Sequence, residues 1–288
     1  MKGDTPMKKI IALVVALVLT LSLTAALADT ITIAVPNDPT NEGRALLLLQ
    51  SAGVLKLKDG AGLEATKLDI ESTAVEIDLV EVEASVLPEY KLNKDADYVI
   101  INNNFALDAG LNPVADSLLI EAADSPYVNV VSVKEGNENS DAAKALAAAA
   151  TSQKVLDYIN EKYNGVVVIA VENVTDGYDA TVDYEALKGQ TIVVAATPVP
   201  HEEILKDVVA PILAEKGITL EVKEVTDYVT PNQFVEAGDV FANYFAHQPY
   251  QDSFNAENGT HLVTIAGVHV EPMGLYAGKQ TDLSALGK

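Results

Sequence analysis

The stretch TITIAVPNDPTNEGRALLLLQ, residues 30–50, decides the fold. Thr30–Pro36 is a short apolar run rich in β-branched residues, the signature of a buried strand. Asn37–Gly43 is a polar turn carrying Pro39. From Arg44 to Gln50 the residues are strong helix formers, and Gly53 suits the helix's C-terminal end. A second opening of the same form lies at 190–214, QTIVVAATPVPHEEILKDVVAPILA. Its helix carries Ile204, Leu205, Val208, Val209, Ile212 and Leu213 as one apolar stripe, closed by Gly217. Each opening sends a polar turn and a helix N-terminus past the carboxyl end of a strand. In open α/β sheets that edge is where ligands bind.

The rest of the chain fits the same alternation. Strands are predicted at Lys67–Ile70, Ile77–Glu83, Tyr98–Ile101, Val128–Val133, Leu220–Val225, Phe241–Phe245 and Leu262–Ala266. Helices are predicted at Asp141–Ala150 and Gln153–Tyr163, and 173–189 reads as a polar surface linker. Strands alternating with helices predict a mostly parallel α/β arrangement, and the two similar openings predict two lobes. The chain's 288 residues agree with about two domains. A formal net charge of −23 makes wrapping a nucleic-acid backbone unfavourable from the first encounter.

The start of the chain reads as an address. Lys8 and Lys9 precede an apolar run from Ile10 to about Ala25, followed by Ala26-Leu27-Ala28. Residues 1–28 therefore resemble a secretory signal peptide, with a retained membrane anchor as the other reading. The chain contains no cysteine. That excludes disulfides, Cys-ligated metals and thiol catalysis within it. It also leads to the expectation of a secreted or periplasmic protein that is not lipid-anchored.

Three groups of residues could carry chemistry. Arg44 is the only arginine, at a predicted helix start beyond a strand. Its planar fork matches a carboxylate two-to-two, although a surface ion pair would explain it equally well. Residues 228–254 hold seven of the sixteen aromatic side chains. Several must be core, and Phe245, His247 and Tyr250, just past the predicted strand end, could line an apolar pocket. Asn102 ends one apolar strand and Asn129 interrupts another. A carboxamide there can serve a zwitterion, accepting from an ammonium and donating to a carboxylate, or it can tie strands together. The common nucleophile, phosphate-loop, dinucleotide and zinc-protease motifs are absent from the sequence. The four histidines show no tight metal spacing, and no cofactor or metal is expected.

Long segments of the chain resemble one known family. AVPNDPTNEGRALLLLQSAGVLKLKDG (34–60), INNNFALDAGLNP (101–113), SPYVNVV (125–131), VVAATPVPHEEIL (193–205), DYVTPNQFVEAGDVFANYFAHQPYQD (227–252) and EPMGLYAGK (271–279) are similar to the methionine-binding MetQ/NlpA family of ABC-transporter substrate-binding proteins. The order differs. In the family, the part resembling 190–288 precedes the part resembling 30–165, so this chain resembles a circular permutant. The family's own ends would then be joined by about 165–189.

The resemblance implies a two-lobed type II periplasmic-binding-protein fold, circularly permuted. One lobe would comprise 30–124 plus 273–288, and the other 125–272, including 165–189. It implies Arg44 for the ligand carboxylate, Asn102 and Asn129 for the polar head group, and Tyr228, Phe245, His247 and Tyr250 for the side-chain pocket. The implied function is capture of methionine or a close analogue, without turnover, for an ABC permease, by a monomer that binds no nucleic acid. Rival functions are binding of another small amino acid or a methionine-containing dipeptide, an enzyme acting on a small carboxylic acid, and a sensory or surface protein with a decayed pocket.

Overall fold

A computed structural model describes residues 30–122, 126–164, 168–171 and 174–288. The predicted leader, 1–28, lies outside the described residues. No helix among the described residues is long and apolar enough to cross a membrane.

The opening run becomes β1 (Ile31–Pro36), buried along almost its whole length. Asp38 caps the following helix, Pro39–Ser51, by accepting from the Asn41 N–H, with Pro39 in the first turn. After β2 (Leu55–Leu57), the expected strand Lys67–Ile70 is displaced. Thr66 and Asp69 form a reciprocal cap around a single tight turn, Lys67–Asp69, so pairing starts only at β3 (Ile70–Thr73). β4 (Ile77–Val82), β5 (Tyr98–Ile101) and β6 (Ser117–Ile120) follow. The later strands are β7 (Val128–Lys134), β8 (Ile169–Ala170), β9 (Thr191–Ala196), β10 (Thr219–Glu224), β11 (Ala242–His247), β12 (Leu262–Val270) and β13 (Gly274–Ala277).

Two larger sheets result, ordered β4-β1-β5-β13-β6 and β10-β9-β11-β7-β12-β8. Their arrangement is mixed rather than mostly parallel. β1 pairs in parallel with β4 and β5, as β9 does with β10 and β11. β13 and β7, however, pair antiparallel with both of their neighbours. These are the strands laid down where the chain passes from one sheet to the other, after β6 and after β12. A strand entering from the other sheet needs no right-handed helical crossover and is free to run the opposite way.

Separate apolar clusters back the sheets. Ile33, Val35, Leu46, Leu49, Tyr98, Ile100 and Leu275 belong to one, and Val131, Leu146, Ile159, Val194, Ile204, Leu213 and Tyr244 to another. The helical stripe predicted at 204–213 faces the second cluster. Its backbone, however, follows an extended Val199 and winds in wide turns over Leu205–Val209 before Ala210–Ala214. Within 173–189, Thr175 bridges to Ser152 and Tyr184–Leu187 forms one short helix, so the segment is more structured than a plain linker.

Candidate functional site

The polar turn after β1 begins the site. Half-buried Asp38 accepts from Asn41 Nδ2 with both carboxylate oxygens, at 3.0 Å each. Burial raises its pKa, against the pull of those hydrogen bonds. Asn41 is thereby oriented, and its Oδ1 accepts from Asn102 Nδ2 at 2.8 Å and faces His247 Nε2 at 3.1 Å. His247 Nδ1 accepts from the Tyr250 N–H, which leaves the ring proton on Nε2. Burial, then the nearby Arg44 charge, push the His247 pKa well below the ordinary histidine value, so the ring is neutral.

Arg44 lies one helical turn beyond Asn41 and is 3% exposed. Its Nε donates to both oxygens of Glu121 at 3.1 Å, and Nη2 donates to Glu121 Oε2 and to the Glu271 carbonyl at 2.5 Å each. The guanidinium also sits 4.3 Å from the centre of the Tyr127 ring. The ion pair is therefore buried, unlike the surface pair that would have been the plain alternative.

From the other sheet comes a second polar chain. His201 Nδ1 meets Thr197 Oγ1 at 2.8 Å, and its Nε2 faces Asn129 Oδ1 at 3.1 Å and Glu271 Oε1 at 3.3 Å. Burial drives the His201 pKa down to about 3, keeping the ring neutral. His269 Nε2 lies 2.6 Å from the same Glu271 oxygen, and its Nδ1 lies 2.5 Å from Tyr244 OH. Burial works against a charge on Glu271, but the hydrogen bonds that it receives from His269 and Asn103 favour the carboxylate. The carboxyl sits below its usual range.

His201, His269 and Glu271 bring their ligating atoms within 4.8 Å of one another. Two ligands on a tetrahedral metal, each at about 2.0–2.1 Å, stand roughly 3.3 Å apart. The 2.6 Å contact of His269 with Glu271 is a hydrogen-bond distance instead. The trio thus acts as a carboxylate gripped by two imidazoles.

Aromatic rings close the remaining side. β11 carries a bulge between Tyr244 and Ala246, where Phe245 has no partner on β7. Alternation along the strand turns Tyr244 toward His269 and Phe245 and His247 toward the cavity, which Ala246 at the bulge also lines. The strand runs on through His247, so these two residues lie within it rather than past its end. The Tyr228 ring centre lies 5.8 Å from those of Phe245 and Tyr250 and 4.9 Å from that of Phe105. Tyr228 OH donates to Asn104 Oδ1 at 2.6 Å, which joins the loop after β10 to the helix Asn103–Asp108 after β5.

These groups line one small cavity with about 20 Å³ of free volume, so a ligand larger than a water needs the walls to move apart. All seven residues singled out in the sequence line it: Arg44, Asn102, Asn129, Tyr228, Phe245, His247 and Tyr250. Asn41, Asn103, Asn104 and Glu271 line it too and were not anticipated. Asn41 was findable, since it precedes Arg44 by three on one helix face. Glu271 carried no such signal.

The model of the family described as NlpA lipoprotein matches residues 20–171 and 192–288. This chain belongs to that family. NlpA-family relatives include the D-methionine-binding lipoprotein MetQ of Yersinia pestis, 43% identical over 136 residues, or 47% of this chain and 50% of the relative. MetQ of Escherichia coli K12 is 40% identical over 142 residues, 49% of this chain and 52% of its own length. The chain thus spans about half the length of the curated relatives it matches. Among solved structures, the methionine-binding protein MetQ is 39% identical over 49% of this chain and 58% of its own, with a TM-score of 0.46. NlpA-family membership corrects one expectation. The matched family is one of lipoproteins, and its relatives are named lipoproteins, so the expectation of a protein without a lipid anchor is overturned. A cysteine count was too narrow a basis for saying where the protein is held.

Proposed function

We propose that this NlpA-family protein captures methionine in the cavity between its two sheets and delivers it to an ABC permease. The observation that carries this is the convergence of one buried arginine, oriented carboxamides and an aromatic wall on a single small cavity. Asn129 Oδ1 faces His201, so its amide N–H groups are the ones left to donate to a ligand carboxylate beside the outer edge of the Arg44 fork. Tyr228, Phe245 and Tyr250 supply the ring faces and edges on which a thioether packs well. The relatives' names point to the same ligand. The work is binding, closure and release, with no bond of the ligand made or broken.

Residues 30–124 with 273–288 form one lobe in this proposal, and 125–272 the other. Their order along the chain is that of a circular permutant. Support comes from the family model matching two segments that together span most of the chain, while each curated relative matches only about half. Calorimetric titration of the purified protein with L-methionine, D-methionine, a glycyl-methionine dipeptide and other amino acids is the direct test. One-to-one binding strongest for methionine is expected, and absence of methionine binding would defeat the proposal.

A further inference from the structure

Glu271 lines the cavity with one carboxylate oxygen, Oε2, that has almost nothing to hold it. Arg44 is already matched by Glu121, and it reaches Glu271 only at the backbone carbonyl. The ring of His201 is neutral. Both imidazoles face Oε1, leaving Oε2 with a single long contact to Asn103 Nδ2 at 3.5 Å.

Two further acceptors stand at the same cavity. Asn102 Oδ1 and Asn103 Oδ1 are buried without a hydrogen-bond partner, on residues 5% and 2% exposed. The Asn102 carboxamide cannot turn to relieve this, because its Nδ2 is fixed by Asn41 and Asn41 by Asp38. A buried acceptor without a donor is costly unless something arrives to satisfy it. A carboxylate oxygen and two carbonyl oxygens around one small space form the complement of a primary ammonium, which has three donors and one positive charge.

We propose that Glu271, with Asn102 Oδ1 and Asn103 Oδ1, is the subsite for the ligand's ammonium group and makes the protein selective for free α-amines. This rests on the reading of the cavity as an amino-acid site. Glu271 then serves both ends of a zwitterion. Its carboxylate takes the ammonium, while its carbonyl steadies Arg44, fixing the spacing between the two charge subsites.

The test is calorimetric binding of a panel of L-amino acids, methionine among them, each against its 2-hydroxy acid, to the wild-type chain and to Glu271→Gln. The hydroxy acid keeps the shape and one donor but loses the charge. The wild-type protein should bind the amine about thirtyfold or more tightly than the hydroxy acid, as charge-assisted hydrogen bonds require. Glu271→Gln should weaken the amine by about tenfold or more and bring the ratio to about threefold or less. Wild-type protein that binds both within about threefold would overturn the proposal without any variant, as would a Glu271→Gln protein, folded by circular dichroism, that keeps the wild-type ratio. If another amino acid binds in place of methionine with this pattern, the ammonium subsite stands and the methionine assignment falls. If no amine binds, both fall.

Discussion

At the scale of single residues, Arg44 joins stability to binding. Arg44→Ala removes the partner of Glu121, itself 17% exposed, as well as the Nη1 donors left for a ligand carboxylate. Methionine binding should weaken by about 2–4 kcal/mol, and the melting temperature should fall in the same variant, because a largely buried carboxylate is left unpaired. Arg44→Lys should restore part of the stability and little of the affinity, since an ammonium cannot reproduce two parallel hydrogen bonds. Titration calorimetry and thermal melts on both variants measure the two effects separately, and unchanged affinity in Arg44→Ala would remove this side chain from the binding account. The buried histidines make a second prediction. Unfolded His201 takes up a proton near pH 6.5, whereas in the fold burial holds it down to about 3. The unfolded state therefore binds more protons across that window, and stability must fall as the pH falls through it, by about 1.4 kcal/mol per pH unit for this ring. His247, shifted the same way, adds to the slope. Urea denaturation at about pH 7, 6 and 5 should show the decline, and His201→Gln should flatten it. A slope unchanged in that variant would mean other groups set the acid sensitivity. Residues such as Arg44 and the two asparagines were legible because their chemistry conflicts with their place in an apolar pattern. Glu271 was not, because one acidic residue among 42 has no distinguishing mark until folding brings His201 to it across 70 positions.

At the scale of elements, the helix Pro39–Ser51 places Asn41 and Arg44, and its own seat depends on Gly43. A Cβ at that position would collide with the Leu63 carbonyl and lie 2.8 Å from the Ala65 nitrogen, both backbone atoms with little freedom to retreat. Gly43→Ala should therefore cost about 1–3 kcal/mol by overpacking, and it should also weaken ligand binding, because the helix end carrying Arg44 must shift. Denaturant titration and calorimetry on one sample check both, and a stable variant with wild-type affinity would show that the segment 62–65 yields easily. Elements with one clear period, such as Ile31–Pro36 and Gln153–Tyr163, were readable from the sequence. The bulge in β11 was not. It is a two-strand event, set by how β11 meets β7, and alternation alone gives the faces of Tyr244, Phe245 and His247 but not Ala246 at the cavity. The start of β3 was misjudged for a similar local reason, a side-chain cap competing with strand pairing.

At the scale of the whole molecule, chain order and spatial order separate. Ile31 near the start and Leu286 near the end belong to the same apolar cluster, and Tyr98 OH donates to the Asp282 carbonyl at 2.7 Å. Residues near both described ends of the chain therefore pack into one apolar cluster. Opening the chain at 181–185, beyond β8, cuts exposed positions rather than a sheet, since Thr181, Asp183 and Glu185 are open to solvent. A rearranged protein that begins near residue 190, runs to Lys288, and continues through a short glycine-serine link into Thr30 would have the order that we propose for the family. Closing a link of a few residues between ends already close together costs little entropy, so its stability should lie within about 1–2 kcal/mol of the present chain. The cavity takes residues from both sides of the cut, and none of them lies near 165–189, so methionine affinity should be retained within about threefold. Thermal melting and calorimetry of the rearranged chain measure both outcomes. An unfolded or non-binding product would mean that the present order is built into the fold, and that the matches to each half reflect something other than an exchange of two intact segments.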